Sequence, residues 1–331
     1  MRRRHRRLGR AVARGRAGVQ RGHRGAQVTS RRQVLLAGAA IALSAKGWAQ
    51  TTQKTVRIVV PFPAGGGTDV LARIVADKLR GNYAPAAIVE NRVGASGRTG
   101  VEAVKTHSFK RLSYDPLKDF TPIALVARSG LALAAGPALP AEVKTVRDYV
   151  AWAKGDPKRA FYATTSAGGT PHFVGVMLAR DSGAALSPVH YKGGAPALQD
   201  LMGGQIPVSI NPVSELLPQL QGGKIRVLAV TSGERSKFLP DVPTMKESGF
   251  PEIVLAPWLG FFAPARTPPD VVKRLANGIA DATAFGDTQR SFIKMGMDPV
   301  AMTPVGFASV VKADLERWAP IVKASGFTAE D

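Results

Sequence analysis

The sequence has no cysteine in 331 residues. That excludes disulfides, thiol nucleophiles, Cys-ligated zinc and iron–sulfur clusters. Histidine is scarce as well. The five residues His5, His23, His107, His172 and His190 show no paired spacing of the kind a metal site uses, so no metal is expected and no cofactor is assigned. The sequence also lacks a run long enough to anchor it in a bilayer. Its most continuous apolar stretch, Val34 to Ala45, falls short of the roughly 20 residues a spanning helix needs. Acids are missing from the first part of the chain altogether: residues 1–49 carry 13 of the 45 Lys and Arg and no Asp or Glu. The remaining 282 residues hold 32 basic and 24 acidic side chains, so the net charge of +21 falls to +8 once that stretch is set aside. The bulk carries no long basic block and the leader has no interleaved aromatics, so no nucleic-acid partner is expected.

What is present is 45% hydrophobic residues with 35 Gly and 24 Pro, a globular composition. The length is near the limit for one core, which favours two lobes. Residues 1–29 read as a basic unstructured leader. Residues 30–49 read as a signal peptide: Arg31-Arg32, the apolar run, then Gly47-Trp48-Ala49 with small residues at −3 and −1 of a cleavage site. The expected location is therefore the periplasm. Ser30 to Leu35 fits a twin-arginine signal, for export of a folded chain, as well as an ordinary basic signal start.

From Lys54 onward strand and helix signals alternate, the α/β pattern. Val56 to Val60 is a β-branched run closed by Pro61-Phe62-Pro63. Ala64-Gly65-Gly66-Gly67 then leads to Thr68 as N-cap and to apolar Val70, Leu71, Ile74, Val75 and Leu79 at helical spacing. The unit recurs: a strand at Ala160 to Thr164, a small-residue turn at Thr165 to Gly169, Thr170 as N-cap, Pro171 at N1, and Phe173, Val176 and Met177 as the buried face. Strands are also expected at Val189 to Tyr191, Pro207 to Ile210 and Ile225 to Val230, with helices at Ala195 to Met202 and Val213 to Leu220. Helical spacing at Pro269 to Thr283 and Thr303 to Ser325 predicts segments that return to the first lobe. A helix N-terminus presents unpaired N–H groups and partial positive charge, so two opposed glycine-rich turns can clamp a small carboxylate or phosphate. Such turns also serve tight packing.

Competing chemistries find little support. Pro61 to Asp69 lacks the Gly-Lys-Ser/Thr ending of a P-loop. Gly94 to Gly100 is spaced GxxGxxG and reads as a tight turn, not a dinucleotide fingerprint. Ser166 has no GxSxG context. His172, just past the proline of a helix start, suits capping or packing, and Arg92 suits a surface salt bridge better than a ligand carboxylate. No catalytic residue is assigned.

Val59 to Arg73, Val89 to Gly97, Tyr114 to Pro122, His190 to Gly193, Ala197 to Leu201, Gly223 to Ser232, Leu239 to Thr244 and Pro257 to Pro268 together resemble the tripartite tricarboxylate transporter substrate-binding proteins, the Bug family. The resemblance spans about residues 54–326. It implies a two-lobed periplasmic binding protein of type II, with parallel-rich sheets, flanking helices and a hinge of two crossovers. Lobe 1 would comprise 50–125 and 232–331, and lobe 2 would comprise 126–231. The function implied is capture of a small organic anion, a carboxylate, and its delivery to the membrane permease subunits of a tripartite tricarboxylate-type transporter. By the same resemblance the ligand would be held by Pro63, Ala64, Gly65 and Gly66, with Thr68 and Asp69 at the helix start. Thr165, Ser166, Gly168, Gly169 and Thr170 would serve from the second lobe. Asp69 beside an anion suits orienting the turn better than touching the ligand.

Two departures stand out. Only Ser108 to Ser113 intervenes where the family pattern carries a further strand and cleft loop, so a strand and a loop of lobe 1 near 107–113 are expected to be lacking. Ala167 and the Gly168-Gly169 pair replace more widely separated glycines. Beside the solute receptor, two further readings therefore stand: a degenerate member that keeps the scaffold without the ligand, and an enzyme on the same fold. No nucleophile, metal set or general base supports the enzyme.

Overall fold

The computed structural model describes residues 55–93, 115 and 117–327. Within them, β1 (Val56–Val60) stops at Pro61, whose ring has no N–H to continue a ladder. The chain then enters α1 (Gly67–Leu79) and returns as β2 (Ala87–Asn91), parallel to β1 with Val56 opposite Ala87 and Val60 opposite Asn91. Helix α1 buries Leu71, Ala72, Val75, Ala76 and Leu79, the i, i+4, i+8 rows of one face. Each large side chain so buried contributes about 1.5–3 kcal/mol. The N-cap is Gly66, not the expected Thr68, and no side chain caps the helix. The glycines carry the chain into the first turn two residues sooner than a hydroxyl cap would.

The long strand β3 (Phe120–Arg128) lies between β9 (Trp258–Pro264) and β10 (Asp298–Met302), antiparallel to both. These strands and α6 (Pro269–Ala284) share a core with β1 and α1: Ile58, Val60, Val75, Ile123, Ala127 and Ile279 all belong to it. Helix α7 (Gly286–Lys294) adds Phe292. The first lobe thus has one core under two separate sheets, and among the described residues β1 pairs only with β2.

The second lobe begins at β4 (Leu131–Ala135) and α2 (Val146–Lys154), which Thr145 and Asp148 start with a reciprocal capping box. It continues through β5 (Phe161–Thr164), α3 (Thr170–Ser182), β6 (Ser187–His190), α4 (Gly194–Met202), β7 (Val208–Pro212), α5 (Val213–Leu220) and β8 (Arg226–Val230). The sheet is continuous, in the order β6-β5-β7-β4-β8, with β6, β5 and β7 parallel and β4 antiparallel to β7 and β8. Helix α3 has its N-cap at Gly169, one residue before the expected Thr170. It also buries Val174 rather than Val176, because residues 171–175 are covered on nearly all sides.

Two features mark the return path. Residues 233–257 do not leave the second lobe at once. Met245, Phe250, Ile253 and Leu255 fill its core beside Leu131 and Leu228, held by bonds such as Leu255 N–H to Thr231 O, 2.7 Å. The crossovers are Ser129-Gly130 and Ala256-Pro257, and Ser129 N–H donates to Pro257 O at 2.9 Å. The final helix α8 (Pro304–Ser325) packs back onto the first lobe only in its first half, where Phe307 and Val311 meet Leu125. Trp318 and Ile321, further along, pack on the core of the second lobe.

Candidate ligand cleft

The turn between β1 and α1 is assembled from below. Gly65 has φ +84, a backbone region that favours glycine, which lets the turn double back over its own helix. Asp69, 2% exposed, lies under it and is saturated with donors. Its Oδ2 accepts from Gly65 N–H and Arg73 Nε, and its Oδ1 accepts from Arg73 Nη2 and Asn91 Nδ2, each at 2.9 Å. Asn91 also donates to Phe62 O at 3.0 Å, tying the end of β2 to the turn. Burial works against the charge on Asp69, but the bonds from Arg73, Gly65 and Asn91 outweigh it and hold the carboxyl below the ordinary aspartate value. Arg92, by contrast, spends its guanidinium on Glu90 at the surface, with Nε 2.6 Å from Oε1.

The turn between β5 and α3 is braced differently. Gly168, φ +68, donates its N–H to His172 Nδ1 at 3.1 Å, so the ring carries its proton on Nε2 when neutral. His172 stacks on Phe173 and meets His190 and Phe327 edge-on. Burial, helped by His190, lowers its pKa to about 4. Thr164 Oγ1 donates to Ser166 O and sits 3.0 Å from His190 Nδ1, closing the turn from the strand side.

These turns lie at the carboxyl ends of parallel strands, where α/β folds place their ligands. The first turn also meets two further helix starts. A β-carbon on Gly193, the N-cap of α4 with φ +109, would stand 3.2 Å from Pro63 Cγ. One on Gly67 would stand 3.1 Å from Ser214 Oγ, and one on Gly66 would lie 3.9 Å from Glu215 Oε1. The partners facing residues 63–67 are therefore the starts of α4 and α5. Thr165 joins them through its carbonyl, which accepts from Gly193 N–H at 2.9 Å. Gly168 instead faces Phe327, and Gly169 faces Ser166 of its own turn.

Sequence reasoning missed the Gly193-Gly194 turn and Ser214-Glu215 as cleft residues. The first repeats the strand, glycine and uncapped-helix pattern, and that signal was available. The starts of α1, α3, α4 and α5 all lack a side-chain cap, so each leaves its first N–H groups to another acceptor. Among the described residues no group of three or more metal-ligating side chains occurs, and no helix is long and apolar enough to cross a membrane. A depression of about 740 Å³ outside the cleft, between α1, β2 and α7, is lined by Arg73, Lys78 and Arg80. Each of these is already paired with an acid, Asp69, Asp287 and Asp77 respectively.

A two-lobed α/β fold with a double crossover and a cleft floored by glycine-rich βα turns defines a periplasmic-type solute-binding protein. The chain belongs to the tripartite tricarboxylate transporter receptor family, whose description matches residues 71–327. It is 30% identical to protein BugT of Bordetella pertussis over 294 residues, 82% of this chain and 90% of that one. In structure it is similar to R. palustris Rpa4515 with adipate, at TM-score 0.76 and 30% identity, covering 84% of this chain and 98% of that one. It is also similar to MatC from Rhodopseudomonas palustris with bound malate, at TM-score 0.73 and 28% identity, covering 81% and 98%.

Proposed function

We propose that this receptor captures a small organic carboxylate between its lobes and hands it to the membrane permease subunits of a tripartite tricarboxylate-type transporter. The observation that carries the reading is the meeting of uncapped helix starts across the cleft, with Gly66-Gly67 of one lobe against Gly193 and Ser214-Glu215 of the other. No side chain caps these helix starts, and a helix N-terminus carries the partial positive charge that suits a carboxylate. Pro63, Ala64, Gly65, Gly66 and Thr68 form the first wall, with Asp69 as its brace. Thr165 with the Gly193-Gly194 turn forms the second wall, and Ser166, Gly168, Gly169 and Thr170 support it. Carboxylates bound to the structural neighbours support the same class of ligand here. Residues 30–49 direct export, with Arg31-Arg32 as the element of a twin-arginine route, and lobe 1 resumes after the second crossover.

The scaffold-only alternative is favoured by one observation, the division of the first lobe's strands into two sheets among the described residues. A thermal-shift screen of the purified chain against small carboxylates separates the two. A ligand at a hundred times its dissociation constant adds about 2.7 kcal/mol of stability to the folded state. A rise in melting temperature with one acid, lost in Gly66→Asp, establishes the receptor. A cooperative transition that no acid moves establishes the empty scaffold.

A further inference from the structure

Glu215 stands in the first turn of α5 and carries a carboxylate into the cleft. One oxygen lies near Gly66 at the start of α1, and the other is packed against Gly194 at the start of α4, where a β-carbon would run into it. Its recorded protein donor is Asn211 Nδ2 at 3.3 Å, and Asn211 is itself held by the Ser209 hydroxyl on its Oδ1. Among the described residues no Lys or Arg pairs with Glu215. Beside its carboxylate stand Gly66 at the start of α1, Gly194 of α4 and Asn211 of β7, none of which titrates.

A ligand carboxylate at these turns would therefore face a second carboxylate. Two like charges at that range repel, and burial makes the repulsion stronger because little water screens it. The repulsion is relieved if the Glu215 carboxyl takes up a proton or if positive charge enters between the two, and among the described residues no Lys or Arg pairs with Glu215 to supply that charge. We propose that Glu215 determines specificity by selecting acids that carry an ammonium group beside the carboxylate, amino acids, over plain mono- and dicarboxylic acids. The inference rests on the carboxylate reading of the cleft. The ammonium would bridge the ligand's own carboxylate end to Glu215, while the helix starts receive the carboxylate. Burial raises the pKa of the Glu215 carboxyl, partly offset by the Asn211 bond, so an ammonium partner would also restore its ionised form.

The test uses ligand pairs that differ only in the amine, succinate with L-aspartate and glutarate with L-glutamate, titrated calorimetrically into the full chain. The amino acid of at least one pair is expected to bind at least tenfold tighter. Glu215→Gln is expected to erase that preference, weakening the amino acid and strengthening the diacid. Equal affinity within every pair, or tighter binding of the diacids, overturns the role of Glu215 and leaves the carboxylate receptor intact. Failure of every acid to bind the native chain overturns both. Should Glu215→Gln not melt cooperatively, the ratio within each pair in the native chain decides alone.

Discussion

The β1–α1 turn and the β5–α3 turn have the same shape and opposite supports. Under the first lies an ionised aspartate with four donors, from Arg73, Asn91 and a backbone N–H. Under the second lies an uncharged imidazole among Phe173, His190 and Phe327. Both helices start without a side-chain cap, so neither turn can steady itself in the usual way. A turn whose first N–H groups must stay available has to be braced from behind. The brace can be a network of charges or a packed neutral ring, and the choice decides how the turn answers to mutation and to acid.

The largest expected effect separates support from recognition. In Gly66→Asp a β-carbon meets nothing nearer than Pro63 O at 3.5 Å, so the side chain fits. Its carboxylate would occupy the uncapped helix start, and a ligand acid should bind at least about a hundredfold more weakly by calorimetry, with the melting transition nearly unchanged. Next comes the charged brace. Asp69→Ala strands Arg73, Asn91 and the Gly65 N–H, and about 2–3 kcal/mol of stability should be lost in urea unfolding, less than a fully buried pair because Arg73 is half exposed.

The neutral brace should show itself through pH. His172 has a depressed folded pKa, so its contribution is complete above the unfolded value near 6.5 and is lost as pH falls towards about 4. The native chain should lose on the order of 2 kcal/mol from this group over that window. His172→Phe should flatten that part of the stability profile, while the Asp69 limb, which lies below the ordinary aspartate value, stays in place. The smallest effect is the control: Arg80→Ala breaks an exposed pair with Asp77 at 3.6 Å and should move stability by no more than about 0.5 kcal/mol.

Much of the fold could be read where punctuation and period agree. The β1 strand ends at Pro61, and α5 runs from Val213 to Leu220 as its spacing predicts. The strands β3 and β4, in separate sheets, went unread because the stretch from Ile123 to Ala135 is almost wholly buried, with only Arg128-Ser129-Gly130 between two apolar runs, and a strand covered on both faces shows no alternation. The cleft was half legible. Its glycine turns announce themselves by spacing, but which turns face each other depends on how the lobes meet. Gly193 comes up against Pro63, whereas Gly169 faces Ser166 of its own turn. Glu215 looks like any acid in a first helical turn until Gly194 is seen against it. The expected loss of a strand near 107–113 and the Gly94 to Gly100 turn lie outside the described residues.

Helix α8 gives the cleft a mechanical character that its hinge alone would not. It is clamped to the first lobe at Phe307 and Val311 and to the second at Trp318 and Ile321. Any rotation of one lobe against the other must then bend the two turns between those clamps or peel away the last stretch. Pro320 lies in that stretch and has no N–H to bond Glu316, so peeling begins where the rod is already short of one rung. Opening the cleft would therefore work against the stiffness of this helix.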